Sequence, residues 1–291
     1  MRWNSGYIAV DWGPTNRRAY RVGADSPDKS FADDQGVLAI PPGGFAKAIA
    51  DIRERLGDLP MVLAGMVGSN RGWHEAPYVA CPAGVREIAE QLLWIDERTG
   101  IVPGVCQRRP GPDVMRGEEI QAIGAAANGA IPEDALICHP GTHAKWIAME
   151  TGRIVSFRTM MTGEMFALLS RHSILADQMP GPATGGTEFE AGVRETLGGE
   201  PLQSALFRIR ARGLLGDASG DAASRASGIL IGSEVAAALA EFGGRRVALI
   251  GKPELCQLYA TAIEMAGGDC CITDGADAFL AGVAALTRTF E

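Results

Sequence analysis

The chain has 291 residues, 46% hydrophobic and 21% charged, with 27 Lys plus Arg against 35 Asp plus Glu and a formal net charge of -8. That length fits two domains of about 150 residues each or one bilobed unit. No stretch reaches the roughly 18 uninterrupted apolar residues of a membrane helix, and the acidic balance argues against a nucleic-acid surface, which needs a basic patch.

The first residues, MRWNSGYIAVDWG, lead directly into a strand pattern without an apolar signal segment. The six cysteines (Cys81, Cys106, Cys138, Cys256, Cys270, Cys271) form no C-x-x-C pair. Reduced thiols, a cytoplasmic location and no membrane or nucleic-acid partner are therefore expected.

Tyr7 to Asp11 (YIAVD) is an apolar run, Gly13-Pro14-Thr15-Asn16 carries turn chemistry, and Arg18 to Val22 returns as the paired strand. Phe45, Ile49, Ile52 and Leu56 recur at helical spacing, and Met61 to Met66 reads as an interior strand. Residues 117 to 130 (GEEIQAIGAAANGA) read as a helix with two acids in its first turn, where the helix dipole favours them. Ala135 to Cys138 is a buried strand. Trp146 to Met149 and Arg153 to Ser156 then form a second hairpin about Thr151-Gly152.

Helical patterns follow over Phe189 to Leu197, Leu202 to Arg212 and Ala222 to Phe242, the Ala/Leu face of the last reading as core. Val247 to Ile250 is another buried strand. Gly251-Lys252-Pro253 leads into a helix with proline at its first position, and a strand (Cys270 to Thr273) and a helix (Asp277 to Leu286) complete the pattern. The class is α/β.

Three turns carry chemistry. In Asp11-Trp12-Gly13-Pro14-Thr15-Asn16, glycine lets backbone N–H groups approach an anion, Thr15 and Asn16 add hydrogen bonds, and Asp11 can hold Mg²⁺ through water. An ordinary hairpin turn would use the same residues. In His139-Pro140-Gly141-Thr142-His143-Ala144-Lys145, Gly141, Thr142 and Lys145 suit a migrating phosphate. Proline and glycine between the two histidines argue against a shared metal site. Gly251, Lys252 and Pro253 can accept adenine or ribose, or make a plain strand-to-helix turn.

The order of these turns resembles the phosphate-1, phosphate-2 and adenosine segments of the actin-like superfamily. The resemblance implies a two-domain actin-like ATPase fold (ribonuclease H-like), with ATP in the interdomain cleft. Longer blocks resemble the 2-dehydro-3-deoxygalactonokinase family: Ala64 to Ser69 with Gly72-Trp73, Glu75 to Tyr78, Asp113 to Glu119, HPGTHAKW, and Met161 to Phe166 with His172 to Leu175. Ala144 and Met165 depart mildly from that pattern. Membership would imply ATP and Mg²⁺ as cofactors, and transfer to the 6-hydroxyl of 2-dehydro-3-deoxy-D-galactonate in galactonate breakdown.

Phosphoryl transfer asks for alignment and charge compensation, with a carboxylate to take the hydroxyl proton. Glu119 is preferred as that base, then Glu118, then Asp113; the two glutamates would serve equally to complement a helix N-terminus. Ser69, Asn70 and Arg71 suit a sugar-acid anchor, Trp73 and Tyr78 a wall, and Thr162 and Glu164 a phosphate or substrate contact, Thr162 also fitting a helix cap. Domain I is drawn as residues 1–116 completed by 275–291, and domain II as 117–274. A homodimer is among the oligomeric states left open. A polyphosphate phosphatase and a non-enzymatic ATP switch of the same fold are the rival readings.

Overall fold

A computed structural model describes residues 3, 5–23, 29–216, 220–243 and 246–290. Met1, Arg2 and Asn4 of the N-terminal reading lie outside the described residues. In chain order the elements are β1 (Tyr7–Trp12), β2 (Arg17–Val22), β3 (Lys29–Asp33), α1 (Phe45–Leu56), β4 (Met61–Gly65), β5 (Tyr78–Ala80), α2 (Val85–Glu90), β6 (Leu93–Asp96), β7 (Thr99–Ile101), β8 (Gly104–Gln107), β9 (Asp113–Met115) and α3 (Glu118–Ala127). They continue with β10 (Ala135–His139), β11 (Ala144–Glu150), β12 (Arg153–Met160), α4 (Thr162–His172), α5 (Thr187–Leu197), α6 (Leu202–Leu215), α7 (Ala222–Phe242), β13 (Val247–Gly251), α8 (Pro253–Met265), β14 (Cys270–Asp274) and α9 (Gly275–Arg288).

The chain divides into two compact units, residues 1–134, 149–156 and 275–291 in one, and 135–148 and 157–274 in the other. This differs from the expected boundary at 116/117. The reason is α3, which packs along α9 so closely that a Cβ on Gly124 would collide with the Ala278 carbonyl, and one on Gly282 with the Ile120 carbonyl. Glycine on both helices lets the backbones touch, and the contact ties α3 to the first unit.

The first unit holds a six-stranded sheet of order β3-β2-β1-β4-β7-β6 and a small sheet, β5-β8-β9. β1 pairs antiparallel with β2 and parallel with β4, so Trp12 lies beside Gly65 at the carboxyl ends of both strands. Strand β1 runs one residue beyond the expected end, which places Asp11 within the sheet rather than in the turn. Helix α1 turns Phe45, Ile49, Ile52 and Leu56 inward onto Val10, Trp12 and Leu63. Burying each such side chain contributes about 1.5–3 kcal/mol.

The five-stranded sheet β12-β11-β10-β13-β14, with β10, β13 and β14 parallel, belongs to the second unit except for the hairpin residues 149–156. Thr151 and Gly152, both at positive φ (49° and 71°), form the two-residue hairpin loop that joins β11 to β12. Phe189 and Val193 of α5, Ile231, Val235 and Ala238 of α7, and Cys256, Tyr259 and Ile263 of α8 pack with Leu136, Trp146 and Leu249 of the sheet into one core. Among the described residues no helix is long and apolar enough to cross a membrane.

Candidate active site

In the first unit three backbone segments converge at the carboxyl ends of β1 and β4. Gly65 turns with φ 92°, and a side chain there would press on the Trp12 carbonyl at 2.9 Å. Gly117, at φ 108°, brings the start of α3 onto Gly65, with its missing Cβ 3.2 Å from the Gly65 Cα. Both positions require glycine. The 13–16 turn beside them is closed by the Gly13 N–H donating to the Asn16 carbonyl (2.9 Å) and by Asn16 Nδ2 donating to Thr15 Oγ1 (3.0 Å). Behind it, the N–H groups of Val37 and Leu38 donate to the carbonyls of Gly13 and Pro14. Thr15 and Asn16 are left exposed at the tip.

Asp11 is half-buried, and burial raises its carboxyl above the usual range; Arg18 opposes the rise and Glu118 adds to it. The Glu118 charge is therefore felt at Asp11. Glu118 accepts from the Arg116 N–H through Oε2 (3.1 Å), and Glu119 accepts from the Gly117 N–H through Oε2 (2.6 Å). The two acids differ in access: Glu118 is half-buried, whereas Glu119 is 0% exposed and its Oε1 has no partner among the described residues. Burial first, then the Glu118 charge, pushes the Glu119 carboxyl up to about 8. Asp113 opens β9, at its far end from α3, and takes the N–H of Val114 on Oδ1.

The expected substrate residues are partly committed to structure. The Ser69 hydroxyl is 8% exposed, donates to the Met66 carbonyl (2.7 Å) and accepts from the Arg71 N–H (3.2 Å), so it shapes the loop. Asn70 and Arg71 are exposed. Trp73 stacks on Phe45 (6.2 Å between rings, 13° between planes) and extends the core, while exposed Tyr78 carries the Arg116 guanidinium 4.4 Å over its ring.

In the second unit the turns after β10 and β13 lie side by side, because Cys138 pairs with Leu249 and the Gly251 backbone lies against Pro140. Thr142 and His143 are exposed; Lys145, expected in the open loop, is 5% exposed within β11. Helix α4 docks on this loop: the Glu164 N–H donates to the Thr142 carbonyl (3.0 Å), Glu164 Oε2 meets His143 Nε2 at 2.6 Å, and a Cβ on Gly163 would collide with the Gly141 carbonyl. Thr162 is the first helical residue, with Met161 at the cap position expected for it.

A cavity of about 230 Å³ opens beside this loop, lined by Gly141, Thr162 and Gly163, by Leu230 of α7, and by Leu255 and Leu258 of α8. Its walls are mainly apolar. Such a cavity, at the carboxyl ends of parallel strands and at the N-termini of two helices, suits a heterocycle with an anionic tail. Gly251, Lys252 and Pro253 form the junction that leads into α8, with Lys252 and Pro253 exposed. Among the described residues no group of three or more His, Cys, Asp or Glu forms a metal site.

Leu230, Leu255, Leu258 and Tyr259 of the cavity carry no functional pattern in the sequence, and Glu234 lies 5% exposed within a stretch whose Ala/Leu face reads as core. A lone acid in GILIGSEVAAALA was the available signal, since a buried carboxylate must have partners.

A family model described as 2-keto-3-deoxy-galactonokinase matches residues 11–286. The 2-dehydro-3-deoxygalactonokinase of Escherichia coli (strain K12) is 36% identical over 290 residues, 97% of each chain. The crystal structure of a Sinorhizobium meliloti protein named for the same activity superposes with a TM-score of 0.90 at 36% identity, over 98% of this chain and 99% of that one. A more distant neighbour, component A of the Acidaminococcus fermentans (R)-2-hydroxyglutaryl-CoA dehydratase, has a TM-score of 0.51 at 10% identity over 98% of this chain and 99% of that one, and shows the fold alone. The fold is the two-domain actin-like α/β fold. With a match spanning nearly its whole length, the chain belongs to the 2-keto-3-deoxy-galactonokinase family.

Proposed function

We propose that the chain transfers the γ-phosphoryl group of ATP to the 6-hydroxyl of 2-dehydro-3-deoxy-D-galactonate. The observation that supports this most is the second unit's apolar cavity set against the Gly141-Thr142 loop. In this reading the cavity takes the adenine, and Thr142 and the N-terminus of α4 face the phosphates, while Lys145 lies buried in β11 behind the loop. The first unit supplies the acids. Asp11, whose carboxyl is raised by burial and by the nearby Glu118 charge, fits as the chief holder of a hydrated Mg²⁺, with Glu118 beside it. Bound there, Mg²⁺ would offset phosphate charge.

Glu118, with the accessible carboxylate, is the better base, and buried Glu119 supports the turn at Gly117. Exposed Asn70 and Arg71 suit the substrate carboxylate, with Tyr78 and Glu164 as further contacts. In the transfer the substrate O6 bonds to the γ-phosphorus, the bond from that phosphorus to the bridging oxygen of ADP breaks, and the O6 proton passes to Glu118.

A coupled assay of ADP release tests the reading. Release is expected to require both ATP and the sugar acid, and Glu118→Gln to lower kcat by about 100-fold or more while ATP affinity changes less than about twofold. ADP release that is indifferent to the sugar acid would overturn the kinase assignment.

A further inference from the structure

Glu234 is the one acid of α7 that points into the second unit's core, and its carboxylate is fully engaged. Trp146 Nε1 donates to its Oε1 (2.8 Å) and the Tyr259 hydroxyl to its Oε2 (2.9 Å). The Thr162 side chain also hydrogen-bonds the carboxylate. These partners come from three different elements. Trp146 is on β11, just past the phosphate loop; Thr162 opens α4, whose first turn docks on that loop; Tyr259 is on α8, which follows the Gly251 junction. Thr162 and Tyr259 both line the cavity.

A carboxylate in so dry a setting is costly unless every lone pair is used. Burial raises the Glu234 carboxyl, and the bonds from Thr162, Trp146 and Tyr259 hold it down. An apolar residue would fill this space without that penalty and would pack α7 on the sheet equally well. What an apolar residue could not do is hold three donors from three elements at fixed spacing. Helices α4 and α8 border the cavity, and β11 follows directly on the loop whose Gly141 lines it.

We infer that Glu234 is a positioning residue for nucleotide binding, a buried three-way acceptor that keeps the α4 N-terminus, the Tyr259 wall and the strand after the phosphate loop in register around the cavity. The inference rests on the reading of that cavity as the ATP site. Glu234 touches no ligand itself, so its removal should weaken ATP binding and leave recognition of the sugar acid alone.

The test compares Glu234→Met, which keeps the volume and removes both acceptor oxygens, with Glu234→Gln, which keeps one. Calorimetry of ATP binding in the absence of sugar acid gives the affinity, and steady-state kinetics gives KM for each substrate. Glu234→Met is expected to weaken ATP binding roughly tenfold with the sugar-acid KM unchanged, and Glu234→Gln to recover most of the loss. Val247→Ala, in the same core at the opposite end of β13, serves as a stability control: it should lower Tm without moving ATP affinity. A Glu234→Met protein with lowered Tm and wild-type ATP affinity would overturn the inference and leave Glu234 a core residue. If Glu234→Met does not fold, Tyr259→Phe decides by the same readout, since it removes one donor and keeps the ring. Wild-type protein that binds no ATP would instead overturn the reading of the cavity, and the inference with it.

Discussion

Adjacent residues in one helical turn point about 100° apart, and at the start of α3 that angle separates two glutamates into different chemical lives. Glu119 is sealed in with its carboxyl pushed up to about 8, whereas Glu118 keeps an accessible face near Asp11. The sealed acid has a thermodynamic signature. Between its ordinary value of 4.5 and about 8, the folded chain holds a proton that the unfolded chain has released. Stability contributed by Glu119 is therefore complete below about pH 4.5 and is lost as pH rises through 8. Glu119→Gln, which retains an oxygen for the Gly117 N–H, should remove that slope, so its Tm should gain on wild type between pH 5 and pH 8 by the equivalent of a few kcal/mol, to order of magnitude. Tm curves that stay parallel across this range would contradict the buried, protonated state. The pair was legible in the sequence as acids at a helix start. Which one faces inward was not, because that depends on the positive φ of Gly117, set by the approach of α3 to Gly65.

At the scale of elements, the second unit's loop keeps its shape because α4 is pressed against it. Gly163 allows that contact, and a methyl group there would strike the Gly141 carbonyl. Gly163→Ala should thus lift the first turn of α4 from the loop and raise the ATP KM about tenfold or more, with a modest effect on Tm. An unchanged ATP KM would show that the loop holds its form without the helix. The two hairpins and the strand-to-helix turn were readable from the sequence because they rest on local turn chemistry at Gly13-Pro14, Thr151-Gly152 and Gly251-Pro253. The β5-β8-β9 sheet was not, since strands of three or four residues are too short to show alternation. The division of the chain at 134 rather than 116 also escaped the pattern, for the α3 and α9 contact joins residues distant in sequence.

At the scale of the molecule, a ligand that binds only the folded state stabilises it by mass action, about 2.7 kcal/mol at one hundred times its Kd. A non-hydrolysable ATP analogue should raise Tm by several degrees, and hydrogen exchange should slow first at residues 140–145, 162–166, 227–231 and 255–259, around the cavity. Protection that spares all four segments would move the nucleotide elsewhere. The cavity itself was invisible to composition and charge. Its lining is drawn from α4, α7 and α8 and from Pro182 and Ala183, which only the folded chain assembles. The glycine contact of α3 with α9 has one more consequence, which concerns time. Helix α3 ends at Ala127 and α9 begins only at Gly275, so the helix that carries the acid pair emerges from the ribosome long before the surface it docks on. Until residues 275–288 have been made, α3 has no α9 surface to dock on, so the seat of the acid pair is completed only by the last helix of the chain.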